Sequence, residues 1–225
     1  MEQSKIPPPP QIVAVSGIVF TMLLSVSLII VRLALPADPH DTGEWLTQPV
    51  TREWVRWSLN LVPFAGLAFL WFMATFRNHL GHVEDKFFAS VFLGSGFLFV
   101  AMMFVAVALS QGLLETVAGR NDTLTRNESY QFGRASVHAL VNFFGMRMAA
   151  VFMIVTSTIG LRSRVLPQWL CFTGIGSGVT MLVGITLFAW IALLFPAWVM
   201  LVSCYILVVS SHNVERTERS DPLDR

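Results

Sequence analysis

The sequence predicts an all-α integral membrane protein built as a bundle of six transmembrane helices. Three observations carry this. Only 13% of the 225 residues are charged, against 54% hydrophobic, and about 25% charged is usual for a soluble domain. The charges are gathered between long charge-free stretches. Those stretches are apolar on both parities, as in Phe97-Leu-Phe-Val-Ala-Met-Met-Phe-Val105, whereas barrel strands alternate apolar and polar over about 10 residues. A helix satisfies its backbone amides within one segment, which hydrocarbon demands. The low charge also excludes a disordered chain. Fifteen Lys and Arg against fourteen Asp and Glu leave no electrostatic footprint for nucleic acid. Two cysteines cannot make a disulfide framework.

A crossing needs about 20 apolar residues for roughly 30 Å of hydrocarbon. The first charge-free stretch, Gln11 to Val31, predicts a helix near 12–34. Its apolar run exceeds a signal-peptide core, and Arg32-Leu33-Ala34-Leu35-Pro36 follows it, so it reads as a retained helix. The tail 1–11 carries four consecutive prolines, Pro7 to Pro10, and is extended. Trp57 to Phe76 lies between Arg56 and Arg77 and predicts a helix near 54–76. Phe87 to Leu114, between Lys86 and Glu115, predicts one near 87–113. Ala135 to Leu161, interrupted only by Arg147, predicts the fourth. The 50 residues from Val165 to Val214 hold no Asp, Glu, Lys or Arg, which is too long for one helix and suits two. Proline starts helices better than it continues them, so the turn is expected near Phe195-Pro196 and the helices near 168–190 and 196–212. The transmembrane domain is thus 12–212, followed by a charged tail, 213–225.

Six crossings put both termini on one side. That side holds Lys5, Arg77, Lys86, Arg162, Arg164, Arg216, Arg219 and Arg225; the other holds Arg32, Arg52, Arg56, Arg120, Arg126 and Arg134. The excess of cations predicts cytoplasmic termini. Loop 36–53 is then external, with Asp38, Asp41, Glu44 and Glu53 running into Trp45, Trp54 and Trp57. Tryptophan favours the membrane–water interface, and Leu46, Val50, Trp54 and Trp57 recur at helical spacing. Pro49 sets the start of any helix there. Loop 115–134 is polar and is expected to be a loop.

The turn Arg77 to Lys86 holds His79, His82, Glu84 and Asp85, the one cluster of metal-ligand types. Gly81 separates the histidines and breaks the helical geometry a pair of imidazoles would need. It reads as a tight cytoplasmic turn, with no metal and no cofactor expected. Around it, Asn60-Leu-Val-Pro-Phe-Ala-Gly-Leu-Ala-Phe-Leu-Trp-Phe72, Arg77, Leu80-Gly81 and Glu84-Asp-Lys-Phe-Phe-Ala-Ser-Val-Phe-Leu-Gly-Ser-Gly96 resemble a group of uncharacterised bacterial, chiefly actinobacterial, polytopic membrane proteins. The resemblance covers the second and third helices and implies a bacterial inner membrane, with no activity attached.

Gly174-Ile-Gly-Ser-Gly178 contains a Gly-x-x-x-Gly spacing, which lets helix backbones approach closely where lipid supplies no hydrophobic drive. Gly94 and Gly96 in the third helix are expected to serve the same packing, inside the bundle or against a second copy. Asn121-Asp-Thr123 and Asn127-Glu-Ser129 match the glycosylation pattern, idle in a bacterium. Cys171 and Cys204 fall at different depths and are expected to be free thiols.

No Asp or Glu lies in any predicted span, so a proton-coupled carboxylate relay is missing. No nucleophile–base pair is visible and no catalytic residue is assigned. The fourth helix is unusual. Arg134, His138 and Asn142 follow at i, i+4, i+8 and form a polar stripe. Arg147 sits about 140° round from Asn142 at 100° per residue, on the face of Ser136, Leu140 and Phe143. Between Arg134 and Arg162 it is expected at the membrane midplane, beyond the reach of snorkelling, as a structural hub or a ligand site. The candidate intramembrane polar site is therefore Arg147, His138 and Asn142. The expected function is a non-enzymatic, transporter-like or accessory component binding an anionic or lipidic ligand. The alternative is a membrane-embedded enzyme acting on a lipid or quinone, with His138 as its acid–base group. The expected surroundings are the lipid bilayer, with a second copy or a partner membrane protein as candidate neighbours.

Overall fold

The computed structural model describes residues 10–34, 48–80, 86–118, 123–184 and 189–220. Among the described residues there are helices and no strands. They are α1 (Pro10–Ala34), α2 (Pro49–Leu80), α3 (Lys86–Ala118), α4 (Thr123–His138), a π-helical stretch (Ala139–Gly145), α5 (Met146–Ser163), α6 (Gln168–Gly184), a 3-10 segment (Ala189–Leu193) and α7 (Leu194–Ser220). Helix α4, the π stretch and α5 form one continuous rod. Five helical bodies are long and apolar enough to cross a membrane: Gln11–Val31, Pro49–Arg77, Lys86–Thr116, Glu128–Ser163 and Trp190–Ser210. Helix α6, with 17 residues, rises about 25 Å.

The core is a stack of phenylalanines from five helices. Phe69 of α2 lies 4.7 Å from Phe20 of α1, 5.4 Å from Phe99 of α3, 5.1 Å from Phe152 of α5 and 5.6 Å from Phe195 of α7, between ring centroids. All five rings are fully buried.

Several boundaries differ from those expected: α2 begins at Pro49 rather than near 54, α7 runs on to Ser220 rather than 212, and two further differences have a visible cause. The polar segment 115–134 is largely helical: α3 runs on to Ala118 and α4 begins at Thr123, not at 135. The reason is a second, small core of Val55, Leu59, Leu114 and Tyr130, which joins α2, α3 and α4 past the Phe stack. An Arg56–Glu115 ion pair at 2.7 Å and a Gln111-to-Asn60 hydrogen bond at 3.1 Å flank it. Polar on its outer faces, this part is helical because it packs. The break expected at Phe195-Pro196 comes earlier, since α6 ends at Gly184 and α7 starts at Leu194. Pro196 is the third residue of α7, where a backbone N–H has no intrahelical partner to lose.

Side-chain contacts fix how far the α6–α7 hairpin reaches. Thr21 Oγ1 donates to the Pro196 carbonyl at 3.1 Å, and Gly17 faces Ser203. Helices α1 and α7 are therefore antiparallel, and Leu194 comes level with about Leu24, some ten residues short of Ala34. Likewise Gly174 faces Ser157 and Gly178 faces Ala150 and Ile154, so Gly184 comes level with about Met146. The ends of α6 and α7 at Gly184 and Leu194 therefore stop short of the Trp57 end of their neighbours.

Candidate functional site

Above that short hairpin lies a cavity of about 470 Å³. Its floor and walls are apolar, with Leu28 of α1, Val55 of α2, Met103 and Val107 of α3, and Ala192 and Leu193 of the 3-10 segment. One side is polar: Tyr130, Arg134, His138 and Asn142 all line it, with Ser27 and Ser110 nearby. The cavity lies where α2, α3 and α4 run on past the ends of α6 at Gly184 and α7 at Leu194.

The polar seam is the stripe expected from the four-residue spacing. Arg134, His138 and Asn142 do come to one cavity. Asn142 is 6% exposed, and Nη1 of Arg134 is shut off from the surface. The π stretch shapes this seam. Its amides bond one residue further back than in an α-helix, as Met146 N–H does to the Val141 carbonyl. Val141 and Asn142 of this stretch both face the cavity, as Val137 and His138 do one turn earlier. Such stretches recur at functional sites. Tyr130 is a lining residue the sequence reading passed over, although it stands four residues before Arg134 and begins the same stripe.

Arg147 is not part of this cavity. It is half-exposed on the outer face of α5, between the exposed Phe144 and the half-exposed Met148 and Val151. Its guanidinium donates to the Phe143 carbonyl at 3.3 Å and lies 4.9 Å from the Phe143 ring centroid. The midplane position expected for it assumed that the helix begins near Arg134. The rod begins at Thr123, and Arg147 lies 15 residues from Arg162, about 22 Å by helical rise. It stands close to the middle of the apolar span Glu128–Ser163. Its polar contacts among the described residues are that carbonyl and that ring.

Gly174 and Gly178 are buried between helices, Gly178 with the space for its Cβ only 3.0 Å from the Ala150 carbonyl. Gly96 faces Met73, whereas Gly94 has nothing within 4 Å and serves no close approach. Cys171 is buried, Cys204 is exposed, and both are free thiols. The cluster His79, His82, Glu84 and Asp85 lies outside the residues whose side chains are described. Among the described residues no group of His, Cys, Asp and Glu could hold a metal ion. No protein-family model, curated protein or solved structure matches this chain.

Proposed function

We propose that the chain is a six-span plasma-membrane protein, non-enzymatic, whose bundle binds an amphiphilic anion in the cavity at its Trp57 end. The observation that carries this is the division of the cavity wall: a seam with Arg134, His138 and Asn142 on one side, and aliphatic walls on the others. A bilayer laid against the cationic rim of Arg77, Lys86 and Arg162 extends about 20 residues up each helix. Its far hydrocarbon edge then runs through Trp57, Ala106 and Asn142. Arg134 and His138 stand in the headgroup layer on this reading, Leu28, Val55 and Val107 stand at the hydrocarbon edge, and Met103 and Leu193 stand in the hydrocarbon. A ligand with an anionic head and an apolar tail matches that order. Among the described residues the cavity lining contains neither Asp nor Glu, which favours binding over acid–base chemistry. The bacterial inner membrane as its location rests on the resemblance of residues 60–96.

The test uses dodecyl phosphate as probe and an uncharged dodecyl glycoside as comparator. Purified wild type is expected to bind the phosphate, and Arg134→Met to bind it about 10- to 100-fold more weakly, the loss of a charge-assisted hydrogen bond. Equal affinity for both amphiphiles, or an Arg134→Met variant that binds as wild type does, removes the reading. Orientation is tested separately. With Cys171 and Cys204 replaced, single cysteines at 41 and 122 are expected to react with an impermeant thiol reagent on whole cells, and a cysteine after Arg225 is not. Labelling of the tail instead inverts the topology.

A further inference from the structure

Arg147 presents a chemistry that the cavity does not use. Its side chain leans toward the N-terminus of α5, as helical side chains do, and this carries the guanidinium up to the Phe143 carbonyl and ring. The α-carbon stands about 22 Å above Arg162, and one helical turn adds about 5 Å. On the membrane-spanning reading, on which this inference rests, the charged group therefore meets the outer edge of a roughly 30 Å hydrocarbon layer. There it has one long hydrogen bond, at 3.3 Å, to an uncharged carbonyl. Among the described residues no carboxylate pairs with it. Residues 185–188, which follow Gly184 in the sequence, include no Asp or Glu. The guanidinium keeps several N–H donors for a ligand, in a planar fork that matches two oxygens of one phosphate. Below it, Met148 and Val151 are partly buried, packed against the core on one side, and Phe144 beside it is exposed, an apolar track running down the bundle toward the Lys86 end.

We propose that Arg147, backed by the Phe143 ring, is an outer-leaflet lipid site that holds the phosphate of an anionic phospholipid, with an acyl chain along Phe144, Met148 and Val151. The charge fits the phosphate, the height fits the headgroup layer, and the apolar track fits the chain. Free phosphate shares the first of these and lacks the third.

The experiment places a photo-crosslinking amino acid at position 144, in protein carried by nanodiscs of mixed phosphatidylglycerol and phosphatidylcholine. Incorporation into the discs and an unchanged helical spectrum test membrane insertion on their own, apart from the lipid site. Wild type is expected to capture phosphatidylglycerol about tenfold above its share of the bilayer. Arg147→Met is expected to capture the two lipids in proportion to their abundance, and Arg147→Lys to fall between. Arg147→Gln, which keeps a polar group at that depth, serves where the methionine variant does not fold and is expected to lose the enrichment too. Added inorganic phosphate is expected to leave the enrichment unchanged. Enrichment that survives Arg147→Met or Arg147→Gln overturns the proposal. So does enrichment abolished by inorganic phosphate, which makes the site one for the free ion, or capture of a second protein chain in place of lipid.

Discussion

Phe69→Ala is expected to lower the stability of the bundle by about 3 kcal/mol, the lower part of the range for truncating a buried phenylalanine. Phe69 is fully buried and its ring touches rings from α1, α3, α5 and α7. Lipid is as apolar as the side chain, so transfer contributes less than in water. What is lost is close packing around a phenyl-sized void and several edge-on ring pairs, each worth about 0.5–1.5 kcal/mol. Phe64 stands on the same helix, and at 63% exposed it faces outward; its replacement by alanine is expected to change stability by about 0.5 kcal/mol or less. Reversible unfolding in mixed micelles reads both. Equal effects at positions 64 and 69 would mean that α2 presents a different face to the core.

The lipid-scale signal in the sequence locates most of the helices well. The start of α2 at Pro49, the start of α3 at Lys86 and the end of α5 at Ser163 lie at or within a few residues of a proline or a charge that marks them. What the signal misses is packing that does not depend on length or hydropathy. Helix α4 is polar on average, and it is held by Tyr130 against Val55, Leu59 and Leu114, residues drawn from three segments far apart in the chain. No local pattern announces such a core. The polar stripe of the candidate site is legible, because i, i+4, i+8 survives whatever the helix packs against. The cavity it faces is not legible, because its walls come from four other segments and its depth from the early turn of the α6–α7 hairpin. The place of Arg147 along its rod is not legible for the same reason: it follows from where α4 begins, and the polar residues of 115–134 conceal that.

Gly174→Leu is expected to destabilise the bundle by about 3 kcal/mol or to prevent assembly, while Gly176→Leu, two residues along the same helix, is expected to be close to neutral. A Cβ at 174 would overlap Ser157 Oγ of α5 and the Trp198 indole of α7 together. Relief on one side presses on the other, and overpacking of this kind costs about 1–3 kcal/mol. Moving the indole also breaks the Trp198 Nε1–H bond to the Leu170 carbonyl, now 3.2 Å, and an unsatisfied buried polar group adds about 1–3 kcal/mol. At Gly176 a Cβ meets nothing within 4 Å, and the same is true at Gly94, so leucine at either site projects away from the bundle. Gly96→Leu falls between, because the neighbour it displaces is the flexible thioether end of Met73. The measurement is the unfolding midpoint together with the monodisperse fraction after purification. The order expected is 174 worst, 96 intermediate, and 176 and 94 near wild type. That order separates a glycine held between two helices from one that merely shares its spacing. If leucine at 174 is tolerated as well as leucine at 176, then α6 is not wedged between α5 and α7, and the short hairpin that floors the cavity is packed in some other register.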